Sequence, residues 1–150
     1  MVKILLLGKE AKMSGMSPEV AEWVNKRGVG ELGESMGIKI LELSAEAGIA
    51  TMPAEGNRQP LGIVHGGAYV VLAETLGSMC AFVAAGVGRH AVGIEINASN
   101  TKSCKSGLIT ATARAINIGK NLTTHEVIVT DEQGQRLSTV RITNFLRDDR

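Results

Sequence analysis

The 150-residue chain has few cysteines, few aromatic residues and almost no net charge. Its two cysteines, Cys80 and Cys104, do not make a disulfide scaffold and indicate reduced, buried thiols in a cytoplasmic protein. Aromatic residues make up 3% of the sequence, which leaves few rings to stack on bases. A formal charge of +1 provides no strong field toward nucleic acid or an anionic membrane. We therefore expect neither nucleic acid nor a membrane as a partner.

The chain is long enough for one domain with a buried core, and a hydrophobic content of 44% is typical of a globular protein. The apolar run 4–7 is shorter than the roughly 7–15 residues of a secretory signal. Residues 1–16 are therefore interpreted as a short extension, either a strand-like arm or a poorly ordered leader. Residues 17–150 are interpreted as the single domain.

Turn residues and β-branched residues divide the domain into a first helix and several strands on both sides of a long apolar segment. Ser17, Pro18 and Glu19 are typical of a helix start, and Gly28 is expected to end that helix. Short polar turns separate the last three strands, so these are predicted to form an antiparallel meander. The predicted strands are 38–43, 49–52, 92–98, 108–118, 122–130 and 137–146.

Segment 66–88 is almost wholly apolar, and Glu74 is its one charged residue. Its length matches a membrane span, but the central carboxylate, several glycines and the lack of a flanking aromatic belt favour a core helix. A helix that is apolar all round needs burial on every side. The sequence therefore predicts an α+β fold in which an antiparallel sheet of about five to six strands curls around one long central helix, with a short N-terminal helix.

Several common site motifs are missing or out of context. The run 28–33 matches the dinucleotide pattern GxGxxG by letters, but a helix rather than a strand precedes it. The histidines His65, His90 and His125 lack the spacing of a zinc site, and no serine lies in a nucleophile elbow. We expect no metal and no bound cofactor.

The candidate functional groups are Glu74 and the glycine pair at the start of the central helix. Gly66 and Gly67 leave backbone N–H groups without helical partners at the positive end of the helix dipole, which suits a developing oxyanion. A buried acid with no lysine or arginine within a turn is costly, so Glu74 is expected to attack a carbonyl or to activate a water. These residues also have purely structural explanations. The glycines allow the chain to turn tightly into the helix, and His65 is a loop histidine whose hydrogen bonds are satisfied.

Gly66 and Glu74 lie roughly 12 Å apart along one helix, because each residue adds about 1.5 Å. The two residues of one chain therefore do not easily serve the same carbonyl. Two antiparallel copies of the helix across a two-fold axis would place the donor of one chain opposite the carboxylate of the other, which predicts a homodimer. Ser78 lies four residues after Glu74 and shares its face of the helix.

The segments 59–78 (QPLGIVHGGAYVVLAETLGS) and 92–98 (VGIEINA) resemble the hot-dog-fold acyl-CoA thioesterases. The likeness is strongest to the phenylacetate-pathway, 4-hydroxybenzoyl-CoA and 1,4-dihydroxy-2-naphthoyl-CoA branch, which has a catalytic glutamate. It covers roughly residues 30–147 and implies a long helix wrapped by an antiparallel sheet. Residues 1–16 are an extension that typical members lack.

The resemblance implies roles for individual residues. It makes Glu74 the nucleophile or general base, and it makes the Gly66 N–H of the partner subunit the group that polarises the thioester carbonyl. It places His65 and Gln59 beside the reaction centre, and Ser78 beside the water or the substrate.

The resemblance also implies a substrate and an assembly. Basic residues after the third strand lie near the CoA phosphates in this family, which implies that role for Lys102 and Lys105; ordinary solvated lysines are the alternative. Family members are dimers of dimers, so a homotetramer is implied.

The expected function is hydrolysis of an aryl or medium-chain acyl-CoA thioester. The main alternative is an acyl-CoA sensor without catalysis, and hydration of an enoyl thioester is less favoured because no paired acid and histidine is placed for it.

Overall fold

A computed structural model describes residues 3–6 and 9–149 of the chain. Within those residues the helices are α1 Pro18–Arg27, α2 Gly30–Ser35 and α3 Gly66–Ala85. The strands are β1 Lys3–Leu6, β2 Lys9–Met13, β3 Lys39–Leu43, β4 Ala47–Pro53, β5 Arg89–Asn100, β6 Leu108–Ile118, β7 Leu122–Thr130 and β8 Arg136–Asp148.

All of these strands belong to one sheet, in the order β1-β2-β3-β4-β6-β7-β8-β5. Neighbouring strands are antiparallel except β2 and β3, which pair in parallel. The predicted meander of the last three strands is confirmed, since β6, β7 and β8 pair in that order. β5 follows α3 and pairs with β8 on one side only, so within the described part of the chain it is an edge strand.

The sheet has eight strands rather than the predicted five to six. The six predicted strands are present as β3 to β8, and β1 and β2 are added to the edge of the sheet next to β3. β2 pairs with β3 through Lys12 and Met13. Its sequence, KEAKM, alternates buried Ala11 and Met13 with exposed Lys12, but two apolar residues are too few to identify a strand, and the sequence predicts a strand-like arm only as one of two alternatives.

The ends of α1 are formed by the residues that the sequence predicts. The Ser17 hydroxyl oxygen accepts a hydrogen bond from the Val20 N–H at 3.3 Å, and Pro18 occupies the first turn. Gly28 ends the helix with φ at 57°, a conformation that glycine adopts without strain. α2 contacts α3, and Trp23 of α1 stacks on Phe82 of α3.

α3 is the central helix, and strands β3 to β8 all contact it. It is long and apolar enough to cross a bilayer, but 61% of its most apolar 18-residue stretch is buried inside the protein. The expectation that α3 is buried on every side is wrong, because one strip of it remains open. This open strip consists of Val71, Glu74, Thr75, Ser78 and Met79, of which Glu74 is exposed and the others are half-buried. The α+β architecture, a sheet wrapped around a central helix, is the hot-dog fold that the resemblance implies.

His125 on β7 is a fully buried histidine. Its Nε2 lies 2.8 Å from the Ala45 carbonyl oxygen, to which it donates, and its Nδ1 is enclosed without a partner among the described residues. Burial lowers the pKa of His125 below its ordinary value of 6.5 and outweighs the Ala45 carbonyl and the Glu46 carboxylate, which both raise it. His125 is therefore a neutral core residue.

Acid is expected to destabilise the fold through His125. Because its pKa is lowered in the folded state, the unfolded chain binds a proton that the native chain does not bind as the pH falls through about 6.5, so the free energy of unfolding decreases. The melting temperature should fall more between about pH 7 and pH 5 for the wild type than for His125→Gln. Equal pH dependence in His125→Gln and the wild type would contradict this assignment.

Candidate active site

The loop before α3 brings His65 and Gly66 to the N-terminus of the central helix. His65 is the N-cap residue, and its Nδ1 accepts a hydrogen bond from the Gly67 N–H at 2.8 Å. This acceptor role places the ring proton on Nε2, and the side chain is exposed. The Gly66 N–H, in the first turn, has no acceptor among the described residues. A helix N-terminus with an unused N–H is a donor for a carbonyl oxygen or an oxyanion.

A cavity of about 290 Å³, here called the helix-end cavity, opens beside this N-terminus. Gln59, Gly66 and Lys102 all line it, so the structure brings these three predicted residues together. Gln59 Oε1 accepts a hydrogen bond from the Leu61 N–H at 2.8 Å, which holds the side chain in the tight loop. The cavity therefore combines an amide, an unused backbone donor and a cation.

Asn100, which sequence reasoning does not identify, lines the same cavity. It is the last residue of β5, and its Nδ2 lies 2.5 Å from the position that a Cβ would take at Gly66. Its Oδ1 accepts a hydrogen bond from the Ser138 hydroxyl at 2.7 Å, which fixes the amide. A glycine is needed at position 66 because the Asn100 amide fills the space of a side chain.

Glu74 and Ser78 line a second cavity of about 420 Å³, here called the strip cavity. Its other walls are Val71, Thr75 and Met79 of α3, and Gly28, Val29 and Leu32 from the region where α1 and α2 meet. The Glu74 side chain is exposed in the single chain, which corrects the expectation of a buried acid. Among the described residues no cation forms a salt bridge with it. The carboxylate is therefore available to a ligand in the strip cavity.

The Glu74 carboxylate lies against Gly93 on the edge strand β5. Its Oε1 is 3.3 Å from the position that a Cβ would take at Gly93, and Asn144 Oδ1 is 3.8 Å from the same point. A glycine inside a strand often marks a close approach by another group. Gly93 therefore leaves room for the Glu74 carboxylate beside the sheet.

The predicted site residues form two separate groups within one chain. One group lies at the N-terminus of α3 and consists of Gln59, His65, Gly66 and Lys102. The other lies on the open strip and consists of Glu74 and Ser78. Lys105 lines neither cavity, and its carbonyl oxygen accepts a hydrogen bond from Arg58 Nε at 2.7 Å.

A larger cavity of about 760 Å³ lies at the other end of α3. Trp23 and Phe82 stack there with ring centroids 3.7 Å apart, and His90 Nδ1 lies 2.6 Å from Asp149 Oδ1. Among the described residues, its walls contain no serine, threonine or cysteine for a histidine to activate. None of the predicted site residues lines it, so the two smaller cavities are the better candidates for the chemistry.

The two groups carry the functions that acyl transfer requires. An accessible carboxylate beside a hydroxyl provides a base or a nucleophile, and the unused N–H at the helix N-terminus provides a donor for a carbonyl oxygen. Gly66 of the first group and Glu74 and Ser78 of the second lie on the central helix of a hot-dog fold. Their arrangement is the one expected of a hot-dog thioester hydrolase.

Comparison with known proteins agrees with this class. Residues 61–138 match the sequence model of the thioesterase superfamily. The proofreading thioesterase EntH of Cronobacter turicensis is 37% identical over 122 residues, which cover 81% of this chain and 89% of that relative. The chain therefore belongs to the thioesterase superfamily, and the protein is a thioesterase.

Solved structures agree with the fold. A thioesterase from Haemophilus influenzae matches with a TM-score of 0.79 at 28% identity, over 90% of this chain and 93% of that one. A protein from Streptococcus pneumoniae described as a hypothetical thioesterase, solved with coenzyme A, matches with a TM-score of 0.69 at 16% identity, over 78% of this chain and 91% of that one. The predicted hot-dog fold is confirmed, and an enzyme is favoured over a sensor without catalysis.

Proposed function

We propose that the protein hydrolyses an acyl-CoA thioester to a free acid and CoA, in a site that two chains share. Glu74 of one chain acts as general base or nucleophile, and the Gly66 N–H of the partner subunit polarises the carbonyl. The observation that carries the proposal is the position of the Glu74 carboxylate against Gly93, on the unpaired edge of the sheet.

The edge strand β5 supports a dimer with this geometry. Its outer side has no strand partner within the described residues, and a long edge strand is normally covered. Suppose that two copies of β5 pair antiparallel about a two-fold axis at Asn97, which the β-bulge between Gly93 and Glu95 makes equidistant from Gly93 and Asn100 along the strand. Gly93 of one chain then lies opposite Asn100 of the partner subunit. Because Glu74 lies beside Gly93 and Gly66 lies beside Asn100, this pairing brings Glu74 to Gly66 of the partner subunit.

The reaction then follows from the positions of these groups. The carbonyl oxygen accepts a hydrogen bond from the Gly66 N–H of the partner subunit, and the positive end of the helix dipole stabilises the oxyanion. Glu74 takes a proton from a water whose oxygen attacks the carbonyl carbon, the C–S bond breaks, and the proton passes from Glu74 to the departing sulfur. Direct attack by Glu74, through an anhydride that water hydrolyses, gives the same products. Heavy oxygen from solvent enters Glu74 in one turnover only by the anhydride route.

The two cavities suit the two halves of an acyl-CoA. The strip cavity suits an aryl or medium-chain acyl group, because apolar side chains form much of its wall. Exposed Lys102, on the wall of the helix-end cavity, is placed to meet a CoA phosphate, and Gln59 and His65 lie beside the path of the thioester. The coenzyme A in the Streptococcus pneumoniae structure, a protein of the same fold, supports a CoA thioester as the substrate class.

Apolar residues on the outer face of the sheet support a dimer of dimers. Phe145 on β8 pairs with Val92 on β5 and with Leu122 on β7, and all three side chains are exposed. They form a row across three strands. Contiguous exposed apolar surface of this kind marks protein interfaces, so we propose that two dimers pack through this row.

Release of free thiol from a panel of acyl-CoA esters tests the proposed reaction. The purified protein should release CoA from aryl and medium-chain esters, with the highest kcat/KM for acyl groups that fill the strip cavity. Binding of the esters without thiol release across the panel would contradict hydrolysis and support the sensor function.

N-acetylcysteamine esters of the same acids are the control, because they lack the CoA phosphates. Lys102→Ala should raise KM several-fold for the CoA esters and leave KM for the truncated esters unchanged, since an exposed charge pair contributes up to about 1 kcal/mol. Lys120→Ala, in the turn between β6 and β7, should change neither value. An unchanged KM for CoA esters in Lys102→Ala would remove Lys102 from the proposed site.

A further inference from the structure

We propose that Asn144 is a positioning residue, which orients the Ser78 hydroxyl so that Ser78 accepts a hydrogen bond from the attacking water. The inference rests on the general-base route of the proposed function, in which Glu74 takes a proton from that water. Asn144 is fully buried and does not line the strip cavity, so it acts through Ser78.

The contacts of Asn144 connect Ser78 to the sheet. The Ser78 hydroxyl donates to Asn144 Oδ1 at 3.1 Å. The strand register pairs Asn144 with Gly93 of β5 on one side and with Thr123 of β7 on the other. Because Glu74 Oε1 also lies against Gly93, the carboxylate and the amide approach the same point on the sheet from different elements.

An amide at position 144 costs stability, which indicates that it has a function. Asn144 Nδ2 is fully enclosed and has no hydrogen-bond partner in the described part of the chain. Buried polar groups without partners destabilise a fold, and an apolar side chain of the same branching, such as leucine, would remove that cost. Within residues 3–6 and 9–149, the one hydrogen bond of this side chain is the one that Oδ1 accepts from Ser78. Holding Ser78 is therefore the function that the contacts support.

This hydrogen bond determines what Ser78 offers to the strip cavity. A hydroxyl has one hydrogen and two acceptor lone pairs. With its hydrogen donated to Asn144, Ser78 presents only lone pairs to the cavity that it shares with Glu74. A water between them then donates one hydrogen to Glu74 and the other to Ser78, which leaves an oxygen lone pair for the carbonyl carbon. As the C–O bond forms, one proton moves to Glu74 and then to the sulfur that leaves.

A double-mutant cycle of Asn144→Leu and Ser78→Ala tests this role. Each single change should lower kcat about tenfold and leave KM unchanged, because one hydrogen bond to the attacking water is lost or misdirected. The double variant should be no slower than Ser78→Ala, since Asn144 acts only through Ser78.

Thr123→Val is the matched control. Thr123 lies directly across from Asn144 and also has an enclosed side-chain oxygen without a partner among the described residues. The valine should raise the melting temperature and leave kcat at the wild-type value. If Asn144→Leu does not fold, Asn144→Ala takes its place in the same cycle.

Wild-type kcat in the Asn144 variant, or losses that multiply in the double variant, would overturn the inference. Glu74→Gln distinguishes this result from failure of the proposed function. If Glu74→Gln is inactive while Asn144→Leu has wild-type kcat, only the role of Asn144 is refuted. If Glu74→Gln remains fully active, both the proposed function and the role of Asn144 are refuted.

Discussion

Replacing Glu74 with glutamine is expected to lower kcat by at least about a hundredfold, in the range that loss of a general base produces. Glutamine keeps the size of the side chain and its position against Gly93. It removes the charge that takes a proton from water or attacks the carbonyl. KM should change little, because the amide occupies the same part of the strip cavity.

Steady-state kinetics with the best ester of the panel measures this effect. Glu22→Gln, at an exposed glutamate of α1, is the matched control and should retain the wild-type kcat. Melting curves followed by circular dichroism establish that both variants fold. Near wild-type turnover by Glu74→Gln would show that another group performs the chemistry.

Much of the fold can be predicted because its central elements have strong local signals. α3 is a long apolar segment that begins at a glycine pair, and β3 to β8 are rich in β-branched residues between clear turns. β1 and β2 have no such pattern, and the pairing of β2 with β3 depends on contacts far apart in the sequence. The buried positions of Cys80 and Cys104 follow the ordinary behaviour of free thiols.

The site can be predicted where a residue breaks the local pattern. Glu74 is conspicuous as the one charge in an apolar run, and Gly66 as part of a glycine pair at a helix start. The exposure of Glu74 cannot be predicted in this way, because α3 is apolar all round and only the position of the sheet edge leaves one strip open. Asn100 and Asn144 come to the site through strand register, which a single polar residue in a strand does not reveal.

Two inactive variants are expected to restore each other's activity if two chains share the site. A Glu74→Gln chain keeps the Gly66 N–H, and a Gly66→Ala chain keeps the Glu74 carboxylate. Gly66→Ala should itself be inactive, because its Cβ would lie 2.5 Å from Asn100 Nδ2 and displace the helix end from the carbonyl. A mixed dimer then has one site with both mutations and one site with neither.

Random assembly of equal amounts makes half of the dimers mixed, so the co-expressed chains should recover about a quarter of the wild-type activity per chain. Light scattering on each parent measures whether it assembles, and whether as a dimer or a tetramer. If mixed dimers form and the activity stays at the average of the two parents, each chain holds a complete site. A change in the stability of either parent could not explain restored activity, because neither parent is active alone. It would therefore require that the carboxylate of one chain and the helix N-terminus of another act on the same carbonyl.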